Sequence, residues 1–227
     1  MQSYRQYCPV AKAHAILGDR WTMLIVRELV LGHDGFNDIA RGLPGIPRST
    51  LSNRLQRLEA CKIVARAPGQ RGPACRYELT EAGRELKAVV TALGRWGAIW
   101  AFQEPDEEDL DPGLLLWRMR HRLNTEALPD GRVTVAFDFR LGPKGRFWLV
   151  IDAGAASVCV SDPGFEVALQ VTADLSDFYQ VWLGRMSLRH AETHGLLRID
   201  GGSAHPEALG TWFRWSPMAE FVPTVLT

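Results

Sequence analysis

The stretch 45–77, GIPRSTLSNRLQRLEACKIVARAPGQRGPACRY, has the residue types and spacing to hold nucleic acid. Leu51, Leu55 and Leu58 recur at i, i+4, i+7 and predict one apolar face of a helix. Ser49, Asn53 and Gln56 fall on the opposite face, and Arg48, Arg54 and Arg57 flank the two. Amides and hydroxyls can read base edges in a major groove, while guanidinium groups hold phosphates. Ser52 joins the candidate contacts. The plainer alternative is an amphipathic helix with a solvated charged face. The sequence that follows weighs against it. KIVARA and CRYEL read as strands, and PGQRGP between them, with Arg71, makes a cationic hairpin tip.

Other chemistry finds less support. His190 and His194 stand at i, i+4, with Glu192 between them and His205 beyond, but no HExxH pattern is present. No metal is expected, and the histidines can simply face solvent. Neither a GxSxG elbow, a Walker-type loop, a GxGxxG turn nor a paired-carboxylate motif occurs, so no enzyme and no cofactor is expected. The four cysteines are scattered without a CxxC pair, as in a reduced, cytoplasmic protein. No apolar run approaches a membrane span, and the start, MQSYRQYCPV, is not a signal peptide.

Several elements must position the arginine-rich helix. A first helix begins at Cys8-Pro9, and Gly18-Asp19 ends it, with Asp19 expected to cap the next helix, RWTMLIVRELVLG. A short third helix spans 36–43 and stops at LPG. A helix followed by a basic hairpin is the order of a winged helix-turn-helix. Thr80-Glu81 then opens a long helix whose stripe of Leu86, Val89, Val90, Leu93, Trp96, Ile99 and Trp100 is too broad for one small domain to cover. A second copy of the chain is its simplest cover.

The segments CPVAKAHAILGDRWTMLIVRELVLG, Phe36, LPGI, STLSNRLQRLE, YELTEAGREL and LGRWG together resemble the HxlR family of bacterial transcription regulators, relatives of MarR. The resemblance covers about residues 8–100. It implies a winged-helix homodimer that binds double-stranded DNA, with the first and last helices of the domain paired across the two-fold. Pro47 stands where the family usually has a Ser or Thr cap, Gly35 replaces a frequent arginine, and Cys61 replaces the usual glycine after the recognition helix. Several relatives use a cysteine at the position of Cys8 as a thiol sensor. A helix N-terminus favours a thiolate there, yet a small residue packed at a dimer seam is the blander reading.

FQEPDEEDLDPG is acidic and carries two prolines, which marks a linker. The expected domains are 1–103, a winged-helix and dimerisation domain; 104–112, the linker; and 113–227. After a helix, PGLLLWRMRHRLNTEAL, the period changes to two in Val133, Val135, Phe137 and Phe139, and again in Phe147, Leu149 and Ile151. Turns at GPKG, DAG and DPG predict an antiparallel sheet built of hairpins. The segment ALQVTADLSDFYQVWLGRMSLRHAETHGLLRIDGG resembles the sterol carrier protein type 2 fold. That resemblance implies an α+β domain with a helix-covered sheet over an apolar cavity for a hydrophobic ligand. Phe137, Phe139, Trp148, Phe178 and Trp182 are the expected lining, although the same aromatics can serve as plain core.

Zero net charge conceals an asymmetry. Residues 1–103 hold 15 Lys and Arg against 8 Asp and Glu, and the remainder 11 against 18. A basic half and an acidic half fit a DNA-binding regulator with an appended domain. The rival reading is a lipid-binding carrier whose winged helix serves only for dimerisation.

Overall fold

The structure is a computed structural model that describes residues 4–68, 75–101, 105–140 and 145–222. Its packing divides into two units, Met1–Gly94 and Arg95–Thr227.

The first unit contains α1 (Pro9–Leu17), α2 (Thr22–Val30), α3 (Phe36–Gly42), α4 (Arg48–Ala60), β1 (Val64–Pro68), β2 (Cys75–Leu79) and the start of α5 (Glu81–Trp100). Ile25, Val26 and Leu29 of α2 pack with Ile39, Leu43, Ile63, Val64, Tyr77 and the three leucines of α4. Leu24 of α2 lies outside this core and is exposed. The fully buried Glu28 is paired, as a carboxylate without water requires. Arg27 donates to its Oε1 from Nε at 2.9 Å and Nη2 at 2.6 Å, and His33 Nδ1 lies 2.8 Å from its Oε2. Asp19 does not cap α2: Trp21 is the N-cap residue, with φ +78°, and no side chain caps the helix.

The end of α4 is built without a glycine. Cys61 is the C-cap at φ −83°, and Lys62 takes the left-handed position at φ +56°. Ile63 N donates to Leu58 O and Lys62 N to Glu59 O, the two bonds of a Schellman ending. Thr80 then ties the wing to α5. Its Oγ1 donates to the Lys62 carbonyl at 2.7 Å and accepts from Gly83 N at 3.2 Å. A Cβ on Gly83 would sit 2.2 Å from Ile63 O, so only glycine fits there.

The second unit contains α6 (Pro112–Arg120), β3 (Val133–Phe139), β4 (Gly145–Asp152), β5 (Ala155–Cys159), β6 (Leu169–Ala173), α7 (Leu175–Trp182), α8 (Leu188–Thr193), β7 (Leu197–Gly201) and α9 (Ala208–Trp212). Asp111 caps α6 by accepting from Leu114 N. The helix is shorter than its sequence suggests, because the chain beyond it pairs elsewhere: Leu123 bridges Phe213, and Asn124 Nδ2 donates to Thr211 O.

The five strands form one sheet in the order β5-β4-β3-β6-β7. The expected all-antiparallel sheet is corrected to a mixed one, since β3 and β6 run parallel, with Val135 beside Leu169 and Phe139 beside Ala173. DAG is the hairpin turn it resembles, with Ala153 and Gly154 both at positive φ between the paired Asp152 and Ala155. DPG is not. There the chain leaves the β5 side of the sheet, crosses over and enters β6 on the far side of β3. A turn signal reports a reversal of direction, not which strand is met next. With neighbours on both sides, β3 is buried on both faces: Val135, Phe137 and Phe139 on one, Thr134 and Ala136 on the other.

Candidate nucleic-acid interface

On α4 the burial follows the predicted pattern. Leu51, Leu55 and Leu58 are buried, while Ser49, Asn53 and Gln56 are exposed and Ser52 is half-buried. Pro47 precedes the helix with φ −63° and supplies no side-chain cap. No N-cap side chain therefore accepts from the first-turn backbone N–H groups of α4, beside Arg48 and Ser49.

The three arginines differ in what they touch. Arg48 is exposed, donates from Nη2 to Asn37 Oδ1 at 2.8 Å and lies 5.0 Å over the Phe36 ring. Arg57 turns inward instead. Its Nη1 donates to Asp19 Oδ2 and its Nη2 to the Ala15 carbonyl at 2.7 Å. Arg54 shares the same carboxylate oxygen at 3.1 Å, and its Nε makes a longer contact of 3.4 Å with the Arg20 carbonyl. Sequence spacing placed these arginines on the flanks of α4. Spacing gave no sign that Asp19, far away in the chain, faces two of them.

The wing strands pair antiparallel from Val64–Leu79 to Pro68–Cys75. Tyr77 N donates to Asp34 O, and Arg76 pairs with the Asp34 carboxylate, which fastens β2 to the start of α3. Arg66 reaches Glu59 at 3.0 Å and lies over Tyr77. Arg71 and the rest of the hairpin tip, 69–74, lie outside the described residues.

A model of the HxlR-like helix-turn-helix family matches residues 16–105. The HTH-type transcriptional regulator YodB of Bacillus subtilis is 36% identical over 91 residues, covering 39% of this chain and 81% of YodB. The uncharacterised HTH-type transcriptional regulator YvaP of the same species is 34% identical over 97 residues, 42% of this chain and 90% of its own. The chain belongs to the HxlR-like helix-turn-helix family. An uncharacterised HTH-type regulator of Mycobacterium bovis is 45% identical over 89 residues, 39% of this HxlR-like chain. The match spans only 56% of that regulator's length. Among solved structures, the reduced form of B. subtilis YodB is 33% identical, with 44% of this chain and 100% of YodB covered at a TM-score of 0.37.

Outside the interface, Cys8 is the half-buried N-cap residue of α1, and its thiol is free, as are those of Cys61, Cys75 and Cys159. The five aromatics expected to line a cavity do not come together around one. Phe137, Phe139 and Phe178 pack on each other, with ring centroids 5.6–6.2 Å apart, and Trp182 is buried in the same core. Trp148 is on the opposite face of the sheet. It pairs with Ala136 and Cys159, one residue out of phase with Phe147 and Leu149. A concavity of about 490 Å³ opens elsewhere in this unit, lined by Arg120, His121, Leu123, Thr125 and the β4–β5 turn. The rings of His190 and His194 stack at 3.9 Å, and His194 Nδ1 bonds the His190 carbonyl. Among the described residues no three His, Cys, Asp or Glu side chains are placed to hold a metal, and no helix is long and apolar enough to cross a membrane.

Proposed function

We propose that the chain is a cytoplasmic, DNA-binding transcription regulator that acts as a homodimer on a pseudo-palindromic operator. The carrying observation is the exposed polar stripe of Ser49, Asn53 and Gln56 on α4, backed by three buried leucines, in a chain of the HxlR-like family. In this reading Ser49, Ser52, Asn53 and Gln56 face bases, and Arg48, Arg54 and the wing's Arg71 face phosphates. Arg57, held by two internal acceptors, braces the helix. The division into 1–103, 104–112 and 113–227 is functional: the first part binds DNA and pairs, and the last takes a hydrophobic ligand. Exposed Val89, Leu93, Trp96 and Trp100 at i, i+4, i+7, i+11 on α5 support the dimer. The layer of helices on one sheet face supports the sterol-carrier-like assignment of the last part. Its ligand has to displace packed phenylalanine rings, since they fill that face.

The test is fluorescence anisotropy with duplex DNA from directly upstream of the chain's own gene. Binding is expected to be dimeric and to weaken steeply with salt, because each neutralised phosphate releases counterions. Failure to bind any duplex, together with uptake of a fluorescent fatty acid, favours the carrier reading instead.

A further inference from the structure

Asp19 is an acidic group placed against an arginine-bearing flank of α4. It belongs to the turn between α1 and α2, where Gly18 packs against His14 and Trp21 holds a left-handed backbone. Its Oδ2 receives two guanidinium groups at once, from Arg54 and Arg57. The two are not equally committed. Arg57 keeps a second strong acceptor, the Ala15 carbonyl at 2.7 Å. Among the described residues, Arg54 has the shared carboxylate and the 3.4 Å contact with Arg20 O. Arg54 also directly follows Asn53, the exposed amide in the middle of the polar stripe. A half-exposed ion pair is weak in water, so a phosphate arriving beside Asn53 can take Arg54 while Arg57 stays on Asp19.

We propose that Asp19 is an internal anion that competes with DNA phosphate for Arg54, and thereby restrains docking of the recognition helix on unselected DNA. The inference rests on the DNA-binding reading above. Docking on any duplex must first break the Arg54–Asp19 pair, and contacts of Asn53 and its neighbours with a matching sequence offset that loss. The cost is the same on every duplex, so Asp19 acts as a positioning residue that lowers overall affinity, and with it the occupancy of unselected DNA, without touching a base.

The experiment uses the full chain in anisotropy titrations against two duplexes, one of random sequence and one from upstream of its own gene, over a range of KCl concentrations. Arg54→Ala is expected to reduce the slope of log affinity against log salt by about 0.9 per protomer, the loss of one phosphate contact. Asp19→Asn is expected to tighten random-duplex binding about two- to fivefold per protomer, the range of a released surface ion pair. Glu78→Gln removes the same charge from the exposed wing strand and sets the size of a purely long-range effect. The Asp19→Asn gain should exceed it and vanish in the Asp19→Asn/Arg54→Ala double variant, while Asp19→Glu should behave as wild type. Equal gains for Asp19→Asn and Glu78→Gln, a gain that persists without Arg54, or weaker binding in Asp19→Asn each overturns the proposal. If Asp19→Asn does not fold, an unchanged salt slope in Arg54→Ala overturns it alone. A wild-type chain that binds no duplex overturns this inference and the DNA-binding reading together; wild-type binding with any of the other adverse results overturns the inference only.

Discussion

At the scale of single residues, identical side chains acquire different roles through what faces them. Asn53 and the wing's Arg71 should separate cleanly. Asn53→Ala is expected to change base preference at one position in each half-site, at a cost of about 1–3 kcal/mol. Arg71→Ala should weaken all sequences alike, and a binding-site selection on each variant distinguishes the two. Asp177, in the first turn of α7, gives a pH-dependent case. Burial, reinforced by Asp174, raises its pKa despite the opposing Arg140. A carboxyl whose folded-state pKa exceeds its unfolded value opposes folding once it ionises. Asp177→Asn should therefore raise the melting temperature at neutral pH, and the gain should shrink as pH falls through the raised pKa towards the unfolded value and below. A gain that is independent of pH would point to shape rather than charge. Sequence alone exposed the polar stripe of α4, because side-chain type and period suffice for it. The sharing of Asp19 by two arginines was hidden, since it depends on the α1–α2 turn meeting α4 in space. The Glu28–His33 pair was hidden for a similar reason: nothing in a sequence marks which glutamate is sealed from water.

At the scale of elements, helices and strands were legible where one face is buried, and less so where connections decide. The α4 leucines, the wing hairpin and the long α5 follow from period and turn chemistry. The direction of β6 does not, because DPG followed by a strand reads the same whether the chain folds back or crosses over. The shift of Trp148 to the other face shows the same limit: an aromatic rich in apolar surface looks like lining from either side of a strand. Two elements yield predictions. Gly83→Ala improves intrinsic helix propensity by up to about 1 kcal/mol. It should nonetheless lower the melting temperature, because the added Cβ collides with the Ile63 carbonyl that Thr80 also grips. On α5, Trp96 and Trp100 are 60% and 74% exposed. Charging that stripe with Leu93→Glu and Trp96→Glu should convert the dimer to monomer in sedimentation velocity and abolish operator binding, with the helical circular-dichroism signal kept. A dimer that survives both changes would place the two-fold elsewhere.

At the scale of the whole molecule, a family match over 16–105 is joined to a second unit with its own sheet and core. The two recognition helices of a dimer should lie about 34–36 Å apart, one turn of duplex. A ligand in the second unit can alter DNA binding only through a difference in its affinity for two states of the dimer. A chain ending at residue 103 should bind operator with wild-type affinity and lose any response to added fatty acid. Loss of operator binding in that truncated chain would show that the second unit contributes to pairing. Equal binding, with no response in the full chain either, would remove the sensor role.

The crossover that makes β3 and β6 parallel also imposes a schedule on synthesis. As the chain leaves the ribosome, β3, β4 and β5 can zip together in order, each beside its predecessor. The other side of β3 must wait until Leu169–Ala173 has emerged, and β6 in turn waits for Leu197–Gly201. Throughout that interval Val135, Phe137 and Phe139 present an uncovered, strongly apolar strand with open backbone donors and acceptors, a template for another nascent copy. Slow translation across 140–200 thus lengthens the interval in which that edge of β3 stays open.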